Sequence, residues 1–117
     1  MSFSEHPKIK EISHRLKGDM LDFIVPGDTN YSEKEVNTCM QILSDYLQAM
    51  EASTSKEEGM KAVEKAVLAL NDLNEASDYE LIETGQREDI AEIIILAGSF
   101  KGYNSEDDDI TEDWRDW

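Results

Sequence analysis

The residue types in this chain of 117 that could do chemistry are two histidines, one cysteine and a large surplus of carboxylates. His6 and His14 stand eight positions apart and share no metal-ligand spacing with Cys39. A lone histidine on a helix flank is usually a surface or satisfied residue rather than a general base. Cys39 falls on an apolar face with no basic neighbour to lower its pKa, which predicts a buried, inert thiol. The run Glu106-Asp107-Asp108-Asp109, followed by Glu112 and Asp113, has the composition of a calcium loop. It lacks the turn glycine and the correctly spaced bidentate glutamate. Carboxylate pairs recur throughout the chain, so two of them side by side do not specify glycosidase chemistry. With no glycine-rich phosphate loop and no nucleophile–base pair, the expectation is a non-enzymatic protein using no metal and no cofactor.

Charge is the stronger signal. Eleven Lys and Arg face 27 Asp and Glu, for a net charge of −16 and a pI near 4.2. Such a charge repels nucleic acid and anionic membrane surfaces and steers the molecule toward basic protein partners. The surplus is uneven: residues 1–58 carry 11 acidic and 6 basic side chains, residues 59–117 carry 16 and 5. An asymmetry of this kind indicates an interaction face. The candidate contacts are Asp72, Glu75, Asp78, Glu80 and Glu83 before the longest apolar run, and Glu106, Asp107, Asp108 and Asp109 after it. Trp114 and Trp117 join them, spaced with Ile110 so that a short terminal helix capped by Thr111 would bring all three together. The tryptophans serve either as a lid on the fold or as aromatic anchors for a partner.

The elements that must position these residues follow from apolar spacing. Ile9, Ile12, Leu16, Met20 and Phe23 or Ile24 predict a helix from Pro7 to about Val25, with Lys8, Lys10, Glu11, Arg15 and Lys17 on the opposite side. Ser32 with Glu35 forms a capping box for a second helix burying Val36, Cys39, Met40, Leu43, Leu47 and Met50. Ser55 with Glu58 repeats the box for a third, with Met60, Val63, Val67, Leu70 and Leu73 inward, ending between Asn71 and Asp78. The run Ile90 to Ala97, introduced by Thr84 and an acidic first turn at Glu88-Asp89 and stopped at Gly98, predicts a fourth helix. Its apolar surface is too broad for a surface stripe, so it is expected at the centre. Leu81 and Ile82 plug its entrance or form a short turn. The fold class is all-α: one domain over 1–117, a compact antiparallel bundle of four to five helices counting a short C-terminal helix in the acidic, tryptophan-bearing tail 103–117. A single cysteine excludes an intramolecular disulfide, and MSFSEHPKIK lacks the apolar core of a signal peptide, so a cytoplasmic protein is expected.

Residues 79–117 resemble small acidic helical proteins of bacteria through LIETGQREDI, the apolar helix with its glycine turn, and the ending DITEDWRDW. Residues 1–78 take no part in the resemblance. It is a likeness to immunity-type proteins encoded beside secreted or contact-delivered toxins. It implies an all-α fold and a role in blocking a toxin domain, such as a nuclease, by filling its basic cleft. A nucleic-acid mimic acting on a DNA-binding protein, and an acidic scaffold or adaptor charged only for solubility, are the alternatives.

Overall fold

Each of the first three long helices starts where the sequence supplies a group to satisfy its open N–H donors. A computed structural model describes residues 2–117, leaving Met1 outside. After a short 3-10 turn at Phe3–Glu5, helix α1 runs Pro7–Asp22, with proline in its first turn and His6 Nδ1 accepting from Lys8 N at 3.2 Å. Helix α2, Glu33–Ala52, opens on the predicted box: the Glu35 carboxylate accepts from the Ser32 N–H at 3.1 Å and from its hydroxyl at 2.7 Å. Helix α3, Lys56–Ala76, opens on a shifted version. Ser55 Oγ accepts from Glu58 N, but the Glu58 carboxylate reaches Thr54, taking its N–H at 2.7 Å and its hydroxyl at 2.6 Å. Helix α4, Thr84–Phe100, has Glu83 as N-cap without a side-chain cap, so Glu88 and Asp89 lie in the second turn rather than the first.

The end of α1 differs from expectation for local reasons. Helix α1 ends at Asp22, before Val25, because Thr29 Oγ1 captures the Val25 N–H at 2.7 Å and Tyr31 donates its hydroxyl to the Met20 carbonyl at 2.8 Å. Phe23 therefore leaves the core and is 59% exposed. Helix α3 ends at Ala76, inside the expected Asn71–Asp78 window, with the amides of Asn71 and Asn74 bonded to the tail and to Ile82. Asn74 Oδ1 accepts from Ile82 N at 3.0 Å, which seats Leu81 and Ile82 as a buried plug between α3 and α4.

Helix α2 is the hub, touching the other three helices, whereas α4 packs on α1 and α2. The centre expected for α4 thus belongs to α2. The reason is size: extents of 45 × 27 × 22 Å accommodate about two layers of helices, each about 10 Å thick, so every helix keeps an outward side. Helix α4 still buries Ile90, Ile93, Ile94, Leu96 and Ala97, and Tyr46 of α2 donates to the Ile94 carbonyl at 2.6 Å.

The tail corrects a second expectation. Residues 103–117 wind through turns, and no short C-terminal helix forms. Thr111 cannot cap one, because it is buried and gives both its N–H and its hydroxyl to Asp109 Oδ1. Arg115 pairs with Asp109 Oδ2 at 3.0 Å, and Asn71 clasps the chain by donating to the Trp114 carbonyl and accepting from Asp116 N. Ile110, Trp114 and Trp117 are partly buried against the core. Two glycines make room: the Tyr103 ring fills the space a Cβ on Gly59 would need, and Asn104 does the same over Gly98.

Candidate functional site

Seven of the 27 carboxylates line two concavities, one at an end of the bundle and one along α4. At the end, the α1–α2 and α3–α4 connections meet at Asn30, whose N–H donates to Glu80 Oε2 at 2.8 Å and whose amide donates to Asp78 Oδ2 at 3.1 Å. The α3–α4 connection is strained. Asp78 and Tyr79 sit in succession at φ 57° and 62°, a region costly for a tyrosine. The Tyr79 N–H bond to the Asn74 carbonyl at 2.8 Å holds them there. Tyr79 is left 55% exposed. Beside this corner lies a cleft of about 610 Å³ whose walls include Asp19, Phe23, Tyr31, Glu80, Glu83 and Gln86. Burial pushes the Tyr31 hydroxyl above its ordinary pKa, and the nearby charges of Glu83 and Glu80 push it the same way. The cleft thus combines an exposed phenylalanine with carboxylates that no cation in its lining offsets.

The second concavity, about 910 Å³, follows the outward side of α4. Glu88, Ala91, Glu92 and Ile95 fall on that side at helical spacing, and the returning tail brings Glu106 and Asp107 opposite. One end is closed by Phe100 stacked on His6 at 4.5 Å between ring centroids. On the α1 side, Arg15 binds Asp89 through Nη2 at 2.7 Å and Nε at 3.2 Å and reaches Glu92 at 3.9 Å, as does Lys8. Both cations, exposed on α1 as its apolar spacing predicts, also tie it to α4.

The eleven candidate contacts do not share one face. Asp72 and Glu75 are exposed on the last turns of α3, away from both concavities. Asp78 and Glu80 hold Asn30, Asp108 accepts from Ser105 N at 3.0 Å, and Asp109 organises the tail turn. Burial alone would raise the Asp109 carboxyl, but hydrogen bonds from Thr111 and the Arg115 charge outweigh it and leave the pKa low. Glu83, Glu106 and Asp107 point their carboxylates at no hydrogen-bonding or ionic partner among the described residues and line the concavities. Trp114 and Trp117 lie half-buried on the bundle. Asp19, Phe23, Glu88 and Glu92 line the same concavities and were not singled out. The i, i+4 spacing of Glu88 and Glu92 carried that information; the exposure of Phe23 depended on where α1 stops.

Cys39 is fully buried, and burial pushes its thiol up to about 12. Among the described residues no three His, Cys, Asp or Glu side chains converge to hold a metal ion, and no helix is long and apolar enough to cross a membrane. Comparison with protein-family models, curated proteins and solved structures returns no match for this chain.

Proposed function

We propose that this protein is a non-enzymatic inhibitor that binds a basic protein partner in the cytoplasm, in the manner of an immunity protein occupying the basic cleft of a toxin. The observation that carries the reading is the end cleft, where exposed Phe23 stands among Asp19, Glu80 and Glu83; Tyr79, next to Glu80 in the chain, is exposed as well. Large exposed aromatics ringed by like charges are what a binding hot spot requires: apolar anchors for affinity and carboxylates for steering. Strain at Tyr79 supports the same reading, since a left-handed tyrosine is retained more readily where its exposed ring does work for a partner. An antiparallel succession of helices would gather both connections at this end. The resemblance of residues 79–117 to immunity-type proteins favours a toxin domain, such as a nuclease, among basic partners. A solubility-only scaffold gives no reason for aromatic exposure inside an acidic cleft.

The test pairs the protein with the product of a toxin reading frame encoded beside it. Association should slow steeply from 0.1 to 0.5 M salt, as the screening length falls from about 10 Å to about 4 Å. Reversing Asp19 and Glu83 to Lys, neither of which holds the loop, should slow association at least about tenfold and abolish protection of toxin-expressing cells. Reversing exposed Glu5 and Glu11 should change little. Equal behaviour of the two double variants, or no complex by gel filtration, refutes the reading.

A further inference from the structure

We infer that the groove along α4 is a second docking seat, and that its occupant is a basic amphipathic helix of a protein partner. The most apolar helix of the chain is left uncovered along one stripe. Eight of its residues are buried by the rest of the fold, but Ala91 and Ile95 remain partly exposed. Singly exposed apolar residues need no explanation, whereas these form the floor of a 910 Å³ concavity together with Phe100. That volume is near the top of the roughly 300–1,000 Å³ range of ligand sites, enough for several side chains entering together.

The rim fixes the partner's charge. Glu88, Glu92, Glu106 and Asp107 border the floor, and Lys8, the single lysine of the lining, is already paired with Glu92 at 3.9 Å. A visitor must therefore present an apolar stripe flanked by Lys or Arg. Its backbone form follows from the host. Among the described residues there is no strand, so no sheet edge exists for an extended peptide to join. A helix laid beside α4 satisfies its own backbone and packs ridges into grooves like any helix pair. The seat takes from the proposed function only the sign of the partner's charge, and it shares no lining residue with the end cleft.

The probe is a fluorescein-labelled peptide of about 14 residues with leucine and lysine at helical spacing, about 21 Å long when helical. Its control is the same composition scrambled out of that spacing. Anisotropy should report binding of the patterned peptide at least about tenfold tighter than the scrambled one, and amide chemical shifts should move along Glu88–Phe100 and Glu106–Asp107. Ile95→Lys should weaken binding at least about tenfold. The exposed pair Glu106→Lys and Asp107→Lys, whose carboxylates hold no hydrogen bond or ion pair among the described residues, should do so with the circular dichroism spectrum and melting temperature retained. Asp19→Lys with Glu83→Lys should leave peptide binding unchanged. Equal affinity for both peptides, no binding of either, or shifts confined to the end cleft overturns the seat. None of these outcomes touches the toxin-complex test above, which is decided at the other site.

Discussion

Asn71 makes two hydrogen bonds from α3 to the tail, and replacing it gives a prediction with its own spectroscopic reporter. Its amide donates to the Trp114 carbonyl at 2.8 Å and accepts from Asp116 N at 3.1 Å, both across more than forty residues of chain. At about 1 kcal/mol net for each hydrogen bond, Asn71→Ala should cost about 2 kcal/mol. For a domain of this length that is a fall in Tm of roughly 6–10 °C. Asn71→Asp keeps the acceptor but sets a carboxylate oxygen against the Trp114 carbonyl, so it should cost at least as much. The chain's two tryptophans are both in the tail, so fluorescence reads tail docking directly. Emission of either variant should shift to the red under native conditions, with far-UV circular dichroism unchanged, because the tail contributes no helix. Urea titration gives the stability. A loss below about 0.5 kcal/mol with unmoved emission in both variants would refute the idea that this clasp holds the tail.

Two glycines of similar helical setting should respond in opposite directions. Gly18 lies mid-α1 with nothing near its missing Cβ, so Gly18→Ala should stabilise by about 0.5–1 kcal/mol in thermal melts. Gly98→Ala drives a methyl into Asn104 and pushes its amide off the Ile95 carbonyl, so overpacking of about 1–3 kcal/mol should outweigh the propensity gain and destabilise. Acid should act through the depressed carboxyls. Glu35, lowered chiefly by the Ser32 hydroxyl, and Asp109, lowered by Thr111 and Arg115 against its burial, contribute stability above their unfolded values of 4.5 and 3.8. That contribution is lost as pH falls through their lower folded values. Relief of self-repulsion at −16 works in the other direction, so the readout is a difference: Glu35→Gln and Asp109→Asn should each flatten the wild-type loss of stability below about pH 4.5.

Helix periodicity was legible wherever side chains bury by local rule. Ile9, Ile12, Leu16 and Met20, and Val36, Cys39, Leu43, Leu47 and Met50, were read from spacing alone, and all are buried. What the sequence hid were decisions made by long-range polar bonds. Tyr31 and Tyr46 belong to the core because each hydroxyl finds a backbone carbonyl on another segment, a pairing that no periodicity announces. Asn71 and Asn74 fall in the stretch where α3 was expected to end, and does, but nothing in their spacing shows that their amides bond to the tail and to Ile82. The tail read as a helix because Thr111, Glu112 and Asp113 fit a helix start. The preceding Asp109 wins Thr111 for a tighter local turn. The candidate site was legible as acid and illegible as shape. Glu83, Glu106 and Asp107 were named, but the hollows they line exist only once the two connections meet and the tail folds back.

The separation of those hollows sets what kind of partner the surface can serve. The nearest rim carboxylates, Glu83 of one hollow and Glu88 of the other, are five residues apart on α4, about 7.5 Å at 1.5 Å per residue. The screening length at physiological salt is about 8 Å, so the two potentials overlap at their near ends. What separates the hollows is their apolar floors, Phe23 in one and Ile95 in the other. A compact basic domain seated on Phe23 and Glu83 would leave the α4 groove unoccupied, and a helix in the groove would leave the end cleft open. Only a partner presenting basic surface over two directions at once would engage both, with the second contact made at the high local concentration that the first provides. The two double charge reversals separate these cases. With a one-seat partner, one of them abolishes binding and the other is silent. With a two-seat partner, each weakens binding in part, and combining them abolishes it, because neither site is then left to hold the partner near the other.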